Sequence, residues 1–333
     1  MTPAPAPTWG AVMTAWTVTP LTTVSMVAAT LAYLILVRRL ARRGQRWRRG
    51  ALASWLLAMM VLVIALNSGM AVYAGSLFWV HMLVHLLLIM VVPVLLVGAA
   101  PIRLLHDASS SRGRVLVDRI VTSAPSRILT TPVFTVPLYT AVIVLTHLTG
   151  FQQAMATHMW IHDTELALYL LAGYLLFLPL IGDELTARPL PHLLRWAVLA
   201  LCMGPDTFVG ITLMMTDYPL APAYAGMRPD WGPTALTDQN TAGAIMWFGG
   251  DGLMMTLMVL ITRQWIATGR GGLGRWLEGI RRQATLGDTE RTSVDVDDDQ
   301  AALDAYNARL AALHEHDRRS RRPYSVTARD ESP

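Results

Sequence analysis

Five of the chain's nine histidines stand in or beside apolar runs: His81, His85, His147, His158 and His162. His81 and His85 are spaced i, i+4 and share one helix face. His158, His162 and Glu165, at i, i+4 and i+7, do the same if their helix begins early enough. Two helices thus each offer a stacked polar pair. Imidazole is a common ligand of copper, zinc and iron, and thioethers favour Cu(I). Met82, Met155 and Met159 are sequence neighbours of these histidines. The single cysteine, Cys202, lies in an apolar run, so one chain can build neither a disulfide nor a paired-thiolate centre. Any metal chemistry falls to His, Met or carboxylate. A lone membrane histidine more often hydrogen-bonds a neighbouring helix than binds metal. Five clustered ones reverse that expectation, because ionisable groups in hydrocarbon are costly and mark interior sites.

The elements that must position these residues are membrane spans. Of the 333 residues, 53% are hydrophobic and only 15% charged, and the mean hydropathy is +0.40, which excludes an ordinary soluble enzyme. Apolar runs of roughly 18 to 24 residues, long enough to cross about 30 Å of hydrocarbon, recur. They fall at 17–37, 51–70, 77–100, 132–150, 161–182, 195–216 and 241–262. Gly50, Pro101, Pro132, Pro189 and Pro191 punctuate them. The expectation is an all-α, polytopic bundle of seven transmembrane helices. The first twenty residues carry no Arg or Lys, so they lack the charged start of a cleavable secretory signal and the first span is expected to be retained.

Sidedness follows from the cations, all of which are arginine. Segment 38–49 is dense in arginine (Arg38, Arg39, Arg42, Arg43 and others), the 101–131 loop holds Arg103, Arg112, Arg114, Arg119 and Arg127, and 183–195 holds Arg188 and Arg195. These loops are assigned to the cytoplasm. The alternate loops 71–76, 151–160 and 217–240 contain a single arginine, Arg228. The N-terminus is then outside, the C-terminus inside, and all five histidines belong to the outer leaflet.

Four further acidic or amide positions enter the reading. Asp238 and Gln239 lead into the seventh span from outside, where a simple N-cap of their own helix in TDQN competes with a functional role. Asp251 lies about ten residues further in, roughly 15 Å deep at helical rise, and is a site candidate. Asp206, after Gly204 and Pro205, is read as satisfying backbone freed by the proline, with a proton-relay role as the weaker option. The chain divides into a transmembrane domain, 1–263, and a charge-rich cytoplasmic tail, 264–333. In the tail, 272–283 reads as an interfacial helix and 300 to about 318 as one soluble helix. No nucleotide-binding glycine loop or Ser/His/Asp arrangement occurs, and nothing points to nucleic acid.

The segments HMLVHLLLIMVVPVLLVGAAP at 81–101, HMWIHDTELALYLLAGYLLFLPL at 158–180 and YAGMRPDWGPTALTDQNTAGAIMWFGGD at 224–251 resemble the CtaG family of seven-span cytochrome c oxidase assembly factors associated with caa-type oxidases. The resemblance covers roughly 55–262. It implies a bacterial cytoplasmic-membrane protein that is not an enzyme and that helps deliver copper to the oxidase. Its implied partners are oxidase subunits, the lipid bilayer and other copper chaperones. It carries a metal role to His81, His85, His147 and His162, with Glu165 in the fifth-span motif; His158 is a further candidate ligand, and Met82, Asp238, Gln239 and Asp251 are candidate supports. Where such proteins often have a histidine directly after that glutamate, Leu166 stands here. Two other classes compete: a haem-binding or haem-handling protein with axial histidines from different helices, and a metal or proton transporter using Asp206 and Asp251.

Overall fold

The computed structural model of this chain describes residues 6–285, apart from 152, 155–157, 183 and 188, together with Asp304. Among the described residues the regular structure is entirely helical. Contacts divide the chain into two units, Met1–Thr262 and Arg263–Pro333. The backbone of the second unit is helical over 263–285. The side chains expected to form an amphipathic face over 272–283, the helix expected at 300–318 (Asp304 apart) and Met155 lie outside the described residues.

In the first unit, α1 is Pro20–Arg42, α2 Arg49–Asn67, α4 Pro132–Leu148, α5 Met159–Phe177 and α6 His192–Met215. Two long helices are built in parts. The first, α3, runs Phe78–Leu86, through a π-helical turn Leu87–Val91, to Val92–Ala99. The last, α7, runs Ala235–Ala244, through a π-helical turn Ile245–Gly249, into Gly250–Thr285. Among the described residues, five helices are long and apolar enough to cross a membrane: those beginning at Pro20, Arg49, Phe78, His192 and Ala235. The apolar helix Pro132–Leu148 is shorter, at 17 residues. Helix α5 has the length, but its first two turns carry His162, Asp163, Thr164 and Glu165, which dilute its apolar character.

Expected boundaries shift by a few residues, and the expected loop 101–131 is instead three short helices, Pro101–Ala108, Ser111–Val121 and Ala124–Leu129. Pro101 starts the first of these because a helix's opening turn needs no donor there. Ser110 and Ser123 cap the other two by accepting from Gly113 N–H and Ser126 N–H.

Packing closes five helices into a ring. Helix α3 packs on α5, α5 on α4, α4 on α6, α6 on α7, and α7 back on α3. Helix α2 lies against the outside of α3, and α1 is almost wholly exposed, presenting Leu21, Val24, Val27, Leu31 and Ile35 outward as a lipid-facing helix would. The interior of the ring is continuous apolar packing that includes Leu88, Val92, Ala172, Leu176, Leu199, Cys202, Met254 and Leu257.

The π turn in α3 has a local cause. Pro93 has no N–H to give the Ile89 carbonyl, and its ring crowds that group. The ladder widens instead, with Val92 N–H bonding back to Leu87. The displaced Ile89 carbonyl lies against Gly173 of α5, where an added Cβ would overlap the oxygen. Only glycine permits this approach, and it sets the distance between the helix that carries His81 and His85 and the one that carries Glu165. Gly210 and Gly243 make a similar crossing between α6 and α7, each facing the other's carbonyl.

Gly173→Ala should therefore push α3 from α5 and cost about 1–3 kcal/mol, the usual range for overpacking. Gly204→Ala, where a Cβ meets nothing within 4 Å, should leave the melting temperature equal or higher. Thermal unfolding of both variants in detergent checks the contrast.

Candidate metal centre

The two histidines of α3 lie on the face that packs on α5, as their spacing requires, and both are buried. Glu165, in the second turn of α5, reaches between them. Its Oε1 is 3.6 Å from His85 Nε2 and its Oε2 is 4.0 Å from His81 Nε2. These gaps are too long for hydrogen bonds, which fall near 2.7–3.2 Å. They match the span between two ligands on one ion bonded at about 2 Å. His81 Nε2, both His85 nitrogens and both Glu165 oxygens are buried without a hydrogen-bond partner. Unpaired buried polar atoms are costly and rare in native interiors. Among the described residues, His81, His85 and Glu165 are the group whose ligand atoms all lie within 4.8 Å of one another. Glu165 therefore sits between the two imidazoles with an oxygen facing each Nε2, where the sequence suggested a place at the edge of the site.

The other histidines extend this group in a line. Ring centroids run 6.0 Å from His162 to His81, 4.1 Å from His81 to His85, and 5.6 Å from His85 to His147. His162 is the open end, with its side chain 39% exposed and Nδ1 3.7 Å from Asp163 Oδ1. His147 is the closed end, 2% exposed. Its Nδ1 is 2.8 Å from the Ile143 carbonyl, and Nε2 is 3.1 Å from Met82 Sδ. His158 does not join the line. It is exposed at the N-cap of α5, with Nδ1 3.2 Å from the Ala154 carbonyl. The helix begins too late to turn it inward. Leu166 is partly buried and packs on the apolar core.

The polar residues of α7 act as clamps. Thr234, not Asp238, caps their own helix by accepting from Thr237 N–H. Asp238 instead caps α3, accepting from Phe78 N–H and Trp79 N–H, each at 2.9 Å. A carboxylate is well suited to this position because two orphan donors and the helix dipole converge there. Gln239 ties down the end of α6: its amide donates to the carbonyls of Leu213 at 3.1 Å and Tyr218 at 3.3 Å, and its oxygen accepts from Leu220 N–H. Outside the spans, Glu184 caps the helix that follows α3, accepting from Ile102 and Arg103 N–H. Burial pushes the Glu184 carboxyl up from its usual range, while those donors pull it down.

Asp206 and Asp251 lie deeper. Asp206 accepts from Tyr139 O–H at 2.9 Å rather than serving backbone freed by Pro205. With Met82, His85, His147, Tyr169 and others it lines a small cavity of about 20 Å³. Asp251 accepts from Thr207 O–H at 2.7 Å and does not line that cavity. Two contributors were missed in the sequence. Tyr169 stacks 4.1 Å from His85, and its i+4 spacing from Glu165 was the available signal. Tyr224 packs 5.4 Å from His81 and comes from the segment between α6 and α7, whose path no periodicity reveals.

A family profile described as cytochrome c oxidase caa3 assembly factor (Caa3_CtaG) matches residues 31–268. The chain belongs to this assembly-factor family. That span takes in α3, α4, α5 and α6 whole and α7 as far as residue 268. An uncharacterised protein of Mycobacterium leprae is 29% identical over 308 residues, covering 90% of this chain and 45% of its own length. An uncharacterised protein of Mycobacterium bovis is 29% identical over 316 residues, covering 92% and 46%. This assembly-factor chain thus spans less than half the length of those curated relatives. No solved structure matches it.

Removing the clamp on α3 tests how the site is positioned. Asp238→Ala should cost about 0.5–2 kcal/mol, as N-cap losses do, and Asp238→Asn should retain part of that. Thermal unfolding reads both; equal stability in all three proteins would mean the cap does not hold α3.

Proposed function

We propose that this chain binds copper through His81, His85 and Glu165 and helps deliver it to a cytochrome c oxidase, with oxidase subunits and other copper chaperones as its partners in a bacterial cytoplasmic membrane. The observation that carries the reading is a pair of 3.6 and 4.0 Å gaps between imidazole nitrogens and a buried carboxylate, flanked by atoms that have no other partner. His162 and His147 continue the ligand set outward and inward. His158 is the weakest member of the expected set, because its Nδ1 faces the Ala154 carbonyl. The cargo is held and passed on without being chemically transformed, so the role is not enzymatic.

The membrane arrangement that goes with this reading is seven spans, with the N-terminus outside, the C-terminus in the cytoplasm and the histidine line opening outward. It rests on the arginine distribution. A reporter fused in the 217–240 loop should be active only outside, and one after Pro333 only in the cytoplasm. The reverse pattern would turn the site to the wrong face.

The haem reading is disfavoured by space, since the cavity beside His85 and His147, about 20 Å³, takes a single small ion or water and no macrocycle. The transporter reading is disfavoured by what lies beyond the acids. Past Asp206 and Asp251 the ring is filled by buried Leu199, Cys202, Met254, Leu257 and Ile261, so no polar path continues. A pocket open at one end suits capture and return to the same side.

His85→Ala should remove copper from the purified protein and lower oxidase maturation in cells together, whereas His158→Ala should retain at least half of each. Metal analysis and oxidase activity in membranes are the readouts. Full copper in His85→Ala would overturn the assignment.

A further inference from the structure

The line of imidazoles is not chemically uniform. His81, His85 and Glu165 form a nitrogen and oxygen set, which suits borderline ions. At the closed end the donors change. The Ile143 carbonyl can only accept, so the 2.8 Å contact sets a proton of His147 on Nδ1, and the neutral ring, the form that binds a metal, then presents Nε2 as a bare lone pair. Tyr169 does not alter this: Thr146 O–H donates to the Val142 carbonyl at 2.7 Å, and the Tyr169 hydroxyl therefore donates to Thr146 at 2.6 Å. The His147 lone pair faces Met82 Sδ at 3.1 Å. Thioether sulfur has no proton to offer, so two acceptors meet with no hydrogen between them. That contact lacks a cause as a hydrogen bond, and it is the bite expected of two donors on one soft cation.

The surroundings fit the same ion. The cavity of about 20 Å³ beside this pair also takes Met90 and Met246 into its lining, and Asp206 stands on its wall. Three methionines with one bare imidazole nitrogen favour Cu(I) over harder divalent ions. His85 lines the cavity and also belongs to the outer set, so it touches both.

We infer that the site is divided into two compartments: an outer nitrogen and oxygen set at His81, His85 and Glu165, and an inner soft set in which His147 and Met82 hold Cu(I), with His85 shared between them. One ion occupies the line at a time, because two cations a few ångströms apart in a low-dielectric interior repel by several kcal/mol. Cu(I) rests at the inner set, and borderline Zn(II) stops at the outer one. This inference rests on the proposed copper role.

The test loads the purified full-length chain with Cu(I) alone and, separately, with Zn(II) alone. X-ray absorption of the Cu(I) form should show a sulfur neighbour at about 2.3 Å, the metal–sulfur distance known from zinc sites. Met82→Leu, a near-isosteric change, should abolish that sulfur shell and weaken Cu(I) about tenfold or more, yet leave Zn(II) affinity unchanged. Glu165→Gln should weaken Zn(II) about 10-fold or more and keep the sulfur shell of bound Cu(I). A Cu(I) spectrum without sulfur in the unmodified chain overturns the inner site while sparing the copper role, and so does a sulfur shell that survives Met82→Leu. Failure of the unmodified chain to bind either ion overturns the copper role and the inner site together.

Discussion

A carboxylate buried between two helices of a membrane bundle is the constraint on which the rest of this structure depends. Glu165 is 1% exposed, and a charged residue at a helix centre costs about 2.5–3.5 kcal/mol on insertion even by the mildest scale. The group is tolerable only if it faces inward and finds partners there, which turns α5 so that Glu165 addresses His81 and His85 on α3. The i, i+4 pair on α3 must in turn face α5, so one acidic residue fixes the rotation of two helices. The Gly173 contact with the Ile89 carbonyl then fixes their separation. A ring of five helices follows, because this polar group must be enclosed on every side that hydrocarbon would otherwise touch.

The other buried polar residues extend the same logic to the ends of the helices. Helix termini leave orphan donors and acceptors, and in a bundle these must be satisfied by the protein itself. Asp238 of α7 closes the start of α3, Gln239 closes the end of α6, and Glu184 closes the helix that follows α3. Helix α3 is thus gripped near both its ends by acids from later in the chain, while its middle is loosened at the π turn directly after His85. The ends are fixed, and the irregular ladder begins at Leu87, two residues past His85, next to the turns that carry the histidines. Such π turns often accompany functional sites.

Much of this was legible in the sequence, for identifiable reasons. Helix positions follow from apolar runs broken by Pro and Gly, and α3, α4 and α6 lie within a few residues of their expected ranges. The pairing of His81 with His85 follows from helical periodicity alone. What periodicity cannot supply is which helix faces which. The sequence therefore placed four histidines around one point, whereas the structure strings them along a line with Glu165 at its centre. For Asp238 it could weigh only a cap of its own helix against a functional role, because a cap across 160 residues leaves no local trace. Tyr224, carried by the short helix Pro222–Met227 between α6 and α7, was invisible for the same reason.

The line has a direction, and the packing beneath it bears on function. At one end His162 is partly open to the surface; at the other, His147 and Met82 meet beside a small cavity walled by Asp206. Beyond Asp206 and Asp251 the ring is closed by Leu199, Cys202, Met254, Leu257 and Ile261, all buried. An ion that entered from the His162 end would meet donors of increasing softness and then an apolar barrier with no further ligand. It could leave only by the way it came, which requires that release be driven from outside, by a partner whose own site competes for the ion. A blind, graded pocket of this kind holds a cargo until an acceptor docks at its mouth. On the proposed copper role, that would put the specificity of delivery in the surface around His162 rather than in a path through the protein.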